Sequence, residues 1–208
     1  MKTIPLVNAS PLGSASRAYA IARKAADKLL DSGANTRLIE RDLSPAHPSP
    51  IAKDYADAVA KRAERDAPAF AQSEILIQEV IDCDYLIIAT PMHNFTAPAS
   101  LKLWIDYVLR VNRTFTHRDG YKIGLLADRP TLVVVGSGGV YHGAHARQPD
   151  YLSSYFALIL ATIGINNVQF IHLQGLVRPD MAEQSRILAE RQLAVHPVFG
   201  LVSAATGS

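Results

Sequence analysis

Three short clusters carry the residue types that could do chemistry. The densest is Ala89-Thr90-Pro91-Met92-His93-Asn94-Phe95-Thr96-Ala97-Pro98-Ala99-Ser100-Leu101-Lys102. It follows an apolar run, Tyr85 to Ala89, and precedes an amphipathic one beginning near Pro98. The pattern predicts a loop at the carboxyl end of a strand, where ligands bind in open α/β sheets. Amides, aromatic surface and a thioether with few charges suit a flat, partly polar ring better than a metal ion or a sugar phosphate. Singly, Met92 and Phe95 could simply pack inward from a Pro-bounded connection. Together, at a strand end, they favour a binding wall.

The second cluster is Ser10-Pro11-Leu12-Gly13-Ser14-Ala15-Ser16, running into a helix. Hydroxyls, a glycine and free helix N–H groups make a phosphate cradle, helped by about half a positive charge from the helix dipole. An N-cap serine in an ordinary turn is the plainer alternative. The phosphate-loop pattern with its lysine is missing, which argues against a nucleotide triphosphatase. The third cluster is Gly136-Ser137-Gly138-Gly139-Val140-Tyr141. Three glycines after an apolar strand allow close backbone approach to a flat ligand. The spacing is not that of the dinucleotide fingerprint.

These loops need a scaffold, and the periodicities supply one. Strands are predicted at 4–9, 36–42, 85–89, 131–135 and 168–173. Pro5 points to a near-edge or strand-start position for the first. Helices are predicted at 16–31, 74–81 with a start possibly near Pro68, 98–111, 151–163 capped by Asp150, and 181–195. Gly33 stops the first helix. Leu101, Trp104, Val108 and Val111 form one stripe of the helix over 98–111, and Lys102, Asp106 and Arg110 a spaced charge ladder. Residues 43–73 read as an irregular excursion, with Pro45, Pro48 and Pro50 in a loop and a short helix over 51–65. The tail from 196 is weakly patterned. Continuous apolar strands between helices imply an α/β, doubly wound, five-stranded parallel sheet covered by helices on both faces. Parallel strands present their carboxyl ends on one side, so the three loops converge.

The totals narrow the function. The 208 residues are 49% hydrophobic and 19% charged, consistent with one domain over 1–208. A net charge of +2 without a like-charged run gives no case for nucleic acid. No apolar stretch is long enough to span a bilayer. The single cysteine, Cys83, fits a reducing cytoplasm and reads as a small core residue. The histidines show no metal-ligand spacing, so no metal is expected.

Taken together, the clusters resemble the FMN-dependent NADH:quinone and azo-compound reductases, with a flavodoxin-like fold. The family pattern S-P-x-G-x-x-S-x-S is matched by residues 10–16, about two residues shorter. P-M-Y-N-F-x-x-P-x-x-L-K-x-W-x-D is matched by Pro91 to Asp106, T-F by Thr114-Phe115, and S-R-G-G-x-Y by Gly136 to Tyr141. Tyr155 and Ile163-Gly164-Ile165 match a later segment. The resemblance implies that Ser10, Ser14, Ala15 and Ser16 hold the phosphate and ribityl chain of FMN. It implies that Met92, His93, Asn94 and Phe95 contact the ring edge, largely through backbone, and that Gly136, Ser137, Gly138 and Gly139 lie along its other polar edge. Phe115, Tyr141 and Thr162 would line the substrate space. The family is homodimeric, with the helices over 98–111 and 151–163 buried between subunits. His93 replaces the usual Tyr, Gly136-Ser137 the usual Ser-Arg, and Thr162 stands where an aromatic is common.

The expected activity is ping-pong reduction of a quinone or azo compound, with hydride passing from NADH or NADPH through flavin N5. The cofactor carries that chemistry. His93 is a candidate proton donor, its ordinary pKa lying near neutrality; a ring-packing or hydrogen-bonding role is the alternative. A flavodoxin-like electron carrier remains a rival, as does a non-catalytic flavin-binding module. The net charge and the 43–73 excursion favour the enzyme.

Overall fold

A computed structural model describes residues 1–32, 35–44 and 48–200. In chain order the elements are β1 (Lys2–Asn8), α1 (Arg17–Asp31), β2 (Thr36–Asp42), α2 (Lys53–Ala60), α3 (Ala71–Ile81), β3 (Leu86–Pro91), α4 (Ala99–Val108), β4 (Phe115–Arg118), β5 (Tyr121–Gly124), β6 (Thr131–Gly136), α5 (Tyr151–Thr162), β7 (Val168–Leu173) and α6 (Pro179–Ala194). The proposed stop at Gly33, the proline at Pro45 and the tail from 201 lie outside the described residues.

Five strands pair in the order β2-β1-β3-β6-β7, all parallel. Alternate strand residues feed opposite faces. Ile4, Leu6, Ile87, Leu132 and Val134 pack with Ile21 and Ala25 of α1 and Leu193 of α6. Val7, Ile88, Val133 and Val135 pack with Leu76 of α3, Trp104 of α4 and Phe156 of α5. Both faces are thereby covered, as the continuous apolar strands require.

Pro5 sits mid-strand, one place in from the sheet edge. Asp84 and Tyr85 both donate N–H to the Thr3 carbonyl, so Thr3, and by the two-residue period Pro5, faces β3. The β1–β3 ladder begins only at Leu6, just past the position that lacks an N–H to donate.

The helix over 98–111 is shorter than its sequence pattern. Pro98 is the N-cap, and α4 ends at Val108, where Leu109 leaves helical geometry. Lys102 and Asp106 do pair across one turn. Arg110 is no rung of that ladder: it is buried, lies 4.3 Å over the Phe70 ring and pairs with Glu74. Glu74 also binds Arg113 and Arg65. Trp104 is 1% exposed and belongs to the core, so the apolar stripe of α4 is spent on the sheet rather than on a partner.

The short helix within 51–65 spans only Lys53–Ala60, and α3 starts at Ala71 after a single 3₁₀ turn at Pro68–Phe70. The β4–β5 hairpin lies outside the elements the periodicities predict. Its signal is Asp119-Gly120, both at positive φ (53° and 81°), the requirement of a two-residue type I′ turn. The hairpin backs onto the end of α5 through two glycines. A Cβ on Gly124 would lie 2.2 Å from the Gly164 nitrogen, and Gly164 itself has φ +106°. The Ile-Gly-Ile segment is therefore a packing device.

Candidate cofactor site

The carboxyl ends of the strands are laced together by backbone. Ala9 N–H donates to Ala89 O at 2.9 Å, Met92 N–H to Gly136 O at 2.7 Å and Ser137 N–H to Leu173 O at 2.8 Å. The loops at 10–16, 92–98 and 136–141 thus share one rim.

In the first loop Ser10 is buried. Its N–H reaches Asn8 Oδ1 at 3.1 Å, and its hydroxyl accepts the Leu12 N–H at 3.2 Å. Gly13 turns the chain at φ +54°. Ser16 is the N-cap of α1, its hydroxyl accepting from Tyr19 N–H at 3.4 Å. Ser14 and Ala15 face solvent. The N–H groups of Ser14, Arg17 and Ala18 have no acceptor among the described residues. No acidic residue occupies the first turn of α1, so no acid within the helix compensates the positive end of its dipole; the Asp42 carboxylate lies 3.7 Å from where a Cβ on Gly13 would stand. Arg17 adds a cation there that no motif marks; its guanidinium donates to Leu176 O at 3.4 Å.

The second loop is a tight reversal. His93 and Thr96 exchange both backbone hydrogen bonds, at 2.9 and 3.0 Å, around Asn94 (φ 47°) and Phe95 (φ 73°). A left-handed Phe is costly, and such strain concentrates at functional sites. The Met92 and His93 N–H groups are already used within the protein. The free backbone donors of this loop, among the described residues, are Asn94, Phe95 and Ala97. Met92 is buried and His93 exposed, with no side-chain hydrogen bond among the described residues.

In the third loop Gly136 and Ser137 are buried. The Ser137 hydroxyl turns inward to Gly139 O at 3.0 Å, so it pins the loop. Gly138 and Gly139 keep free N–H groups among the described residues. Tyr141 meets Phe95 edge-on, ring centres 5.9 Å apart, closing the gap between the second and third loops.

Two sequence candidates are not brought to this rim. Tyr151 N–H bonds Phe95 O, so α5 starts beside the second loop. Thr162 ends α5, about 16 Å away at 1.5 Å per residue. Phe115 is buried in the hairpin beyond the far end of α4. Within one chain neither can line the space bounded by the three loops.

The fold does assemble a histidine group that spacing did not reveal: His142, Asp150 and His172 offer ligand atoms within 4.8 Å of one another. Ser153 joins them, donating to Asp150 Oδ2 at 2.6 Å and lying 3.0 Å from His172 Nε2. This is no nucleophilic triad, because Ser153 and Asp150 approach the same imidazole nitrogen instead of opposite ones. Burial, with the neighbouring His142, pushes the His172 pKa down to about 4, so its ring is neutral at pH 7.

A cavity of about 680 Å³ opens on the third loop, lined by Gly138, Gly139, Tyr141, Arg147 and Arg178. A smaller one, about 260 Å³, lies on the opposite side between α2 and Arg110.

A family model described as flavodoxin-like fold matches residues 2–196. Over 200 residues the chain is 46% identical to FMN-dependent NADH:quinone oxidoreductase 4 of Pseudomonas fluorescens, covering 96% of this chain and 97% of that one. It is 48% identical to FMN-dependent NADH:quinone oxidoreductase 5 of Burkholderia lata, covering 92% and 98%. The chain belongs to the FMN-dependent NADH:quinone oxidoreductase family. An azoreductase of Bacillus anthracis shares the fold, with a TM-score of 0.75 and 21% identity over 91% of this chain and 95% of that one.

The rim fits the family's cofactor. FMN needs an anion seat and an edge of hydrogen-bond donors. The α1 terminus with Ser14, Ser16 and Arg17 has the groups for the first, and the free N–H groups of Asn94, Phe95, Gly138 and Gly139 have the character of the second.

Proposed function

We propose that this chain is an FMN-dependent oxidoreductase that uses NADH or NADPH to reduce quinones and aromatic azo compounds. The observation that carries the reading is the pairing of an open α1 terminus, with no acid in its first turn, with two facing loops in which the Asn94, Phe95, Gly138 and Gly139 N–H groups are free. Bound FMN would supply the redox chemistry, taking a hydride from the nicotinamide and giving it to the acceptor.

The chain's own residues do the rest. The N–H groups of Ser14, Arg17 and Ala18, with the Ser14 and Ser16 hydroxyls, hold the phosphate through hydrogen bonds and the helix dipole. Ser10 shapes that loop through its two backbone contacts. The N–H groups of Asn94, Phe95, Gly138 and Gly139 lower the energy of negative charge on a reduced ring. Met92 backs the site from the core. Phe95 and Tyr141 shield the reacting face from water. His93 stands exposed at the ring edge, where an imidazole can hand a proton to the reduced acceptor.

The same reading makes the enzyme a cytoplasmic homodimer. No helix among the described residues is long and apolar enough to cross a membrane. Tyr151, Tyr155, Leu158 and Thr162 recur at helical spacing along the outward stripe of α5, with Tyr151 60% and Leu158 65% exposed. Pairing α5 antiparallel with its copy across a twofold axis buries that stripe. It also brings the Thr162 and Phe115 end of one subunit toward the loops of the other, which no single chain achieves.

Anaerobic NADH added to the FMN-loaded protein should bleach the flavin band, and a quinone should restore it. Retained colour after NADH, or no flavin uptake, overturns the proposal.

A further inference from the structure

We propose that His142, Asp150 and His172 form a binding site for one divalent transition-metal ion of the zinc type, beside the cofactor loops but separate from them. Three elements far apart in sequence supply the ligands: the loop after Gly139, the N-cap of α5 and the carboxyl half of β7. Two imidazoles and a carboxylate suit zinc, copper or nickel, and are a poor set for magnesium or calcium, which prefer all-oxygen shells.

The geometry is close to assembled. His172 Nε2 and Asp150 Oδ2 lie 3.5 Å apart. Two ligands at about 2.0–2.1 Å from a tetrahedral ion stand roughly 3.4 Å apart. His172 is half-buried and fixed in its strand, with the Phe170 and His142 rings both stacked against it, ring centres 6.0 and 4.2 Å away. Asp150 is held by its cap bond to Ser153 N–H through Oδ1, which leaves a lone pair on Oδ2 beside the Ser153 hydroxyl. The Gln174 side chain clamps the His142 backbone, accepting its N–H at 2.7 Å and donating to its carbonyl at 3.1 Å. The His142 ring itself is exposed, so it can leave its stacked position and turn its nitrogen onto the ion. Exposure on that side also leaves a fourth position for water, as in zinc sites with three protein ligands.

Occupancy would tie the 138–150 loop to β7 and α5. Because Tyr151 N–H holds Phe95 O, the clamp reaches the left-handed turn of the second loop.

The test uses tag-free, FMN-loaded protein. Calorimetric titration with Zn²⁺ should give one ion per chain, and the electron paramagnetic spectrum of added Cu²⁺ should show two imidazole nitrogens. His142→Ala and His172→Phe should each weaken Zn²⁺ binding tenfold or more. Asp150→Asn, which keeps the helix cap, should weaken it measurably. Hydrogen exchange across 138–150 should slow with Zn²⁺ in the wild type only. No stoichiometric binding, or binding unchanged by His142→Ala, overturns the proposal. Since His142 is a surface side chain, that variant keeps the test valid even if His172→Phe folds poorly.

Discussion

A single substitution separates the anion seat from the fold. Ser16 caps α1 at the point where the cofactor phosphate is proposed to sit. Asp caps as well as Ser, and its charge complements the helix dipole, so Ser16→Asp should leave the cofactor-free protein as stable or raise it by about 0.3–1 kcal/mol. For a chain of this size that is a rise of about 1–4 °C in melting temperature. The new carboxylate would share one helix terminus with a phosphate at about 4 Å. Each charge pair then costs about 1 kcal/mol with full water screening and about 4 kcal/mol at an effective permittivity near 20. The corresponding loss of affinity runs from about fivefold to nearly a thousandfold, and the phosphate's second charge moves it upward. Ser16→Asn is the control, a good cap without charge. Flavin-fluorescence titration should show FMN binding weakened tenfold or more in Ser16→Asp relative to Ser16→Asn. Riboflavin, which has no phosphate, should bind both variants alike. Equal FMN affinity in the two variants, or an equal loss for riboflavin, would refute the placement of the phosphate at α1.

Glu74→Gln should cost about 3 kcal/mol in urea unfolding, because it strips the charge partner from the buried Arg110 guanidinium, 5% exposed. Arg65→Gln, on the 60% exposed arm of the same cluster, should cost less than about 1 kcal/mol. His196 gives a pH dependence of known sign. Burial lowers its pKa, and Nδ1 accepts the N–H groups of Val198 and Phe199. Its stabilising effect is complete above the ordinary histidine pKa near 6.5 and is lost as pH falls through its lowered folded value. The urea midpoint should therefore drop more between pH 7 and pH 5.5 in the wild type than in His196→Ala; parallel curves would contradict this. Leu158→Glu should convert a dimer to a folded monomer in sedimentation, with less than about 0.5 kcal/mol change in intrinsic stability. A wild-type monomer would rule out the α5 interface.

The sequence by itself determined most of the scaffold. Strands β2 and β7 fall on the residues their patterns mark, and α1 covers the span predicted for it but for its first residue, Ser16, which is the cap. These are local properties: apolar period, cap chemistry and breakers act over a few residues. Parallel strands then force the three loops to one rim, so their convergence was legible as well. The hairpin was also locally written, in Asp119-Gly120, but its two four-residue strands are too short to show as apolar runs. Other features belong to the tertiary structure alone. Arg110 reads as a surface rung, yet α4 ends two residues earlier and the chain turns it onto Phe70 and Glu74. Phe115 and Thr162 read as neighbours of the rim, yet helices antiparallel to the strands carry them to the opposite end. His142, Asp150 and His172 have no common spacing; only the β6–α5–β7 crossover brings them together. Spacing along the chain reports which face a residue takes. Which distant residues meet is set by how crossovers stack the elements, and that is decided only when the whole core packs.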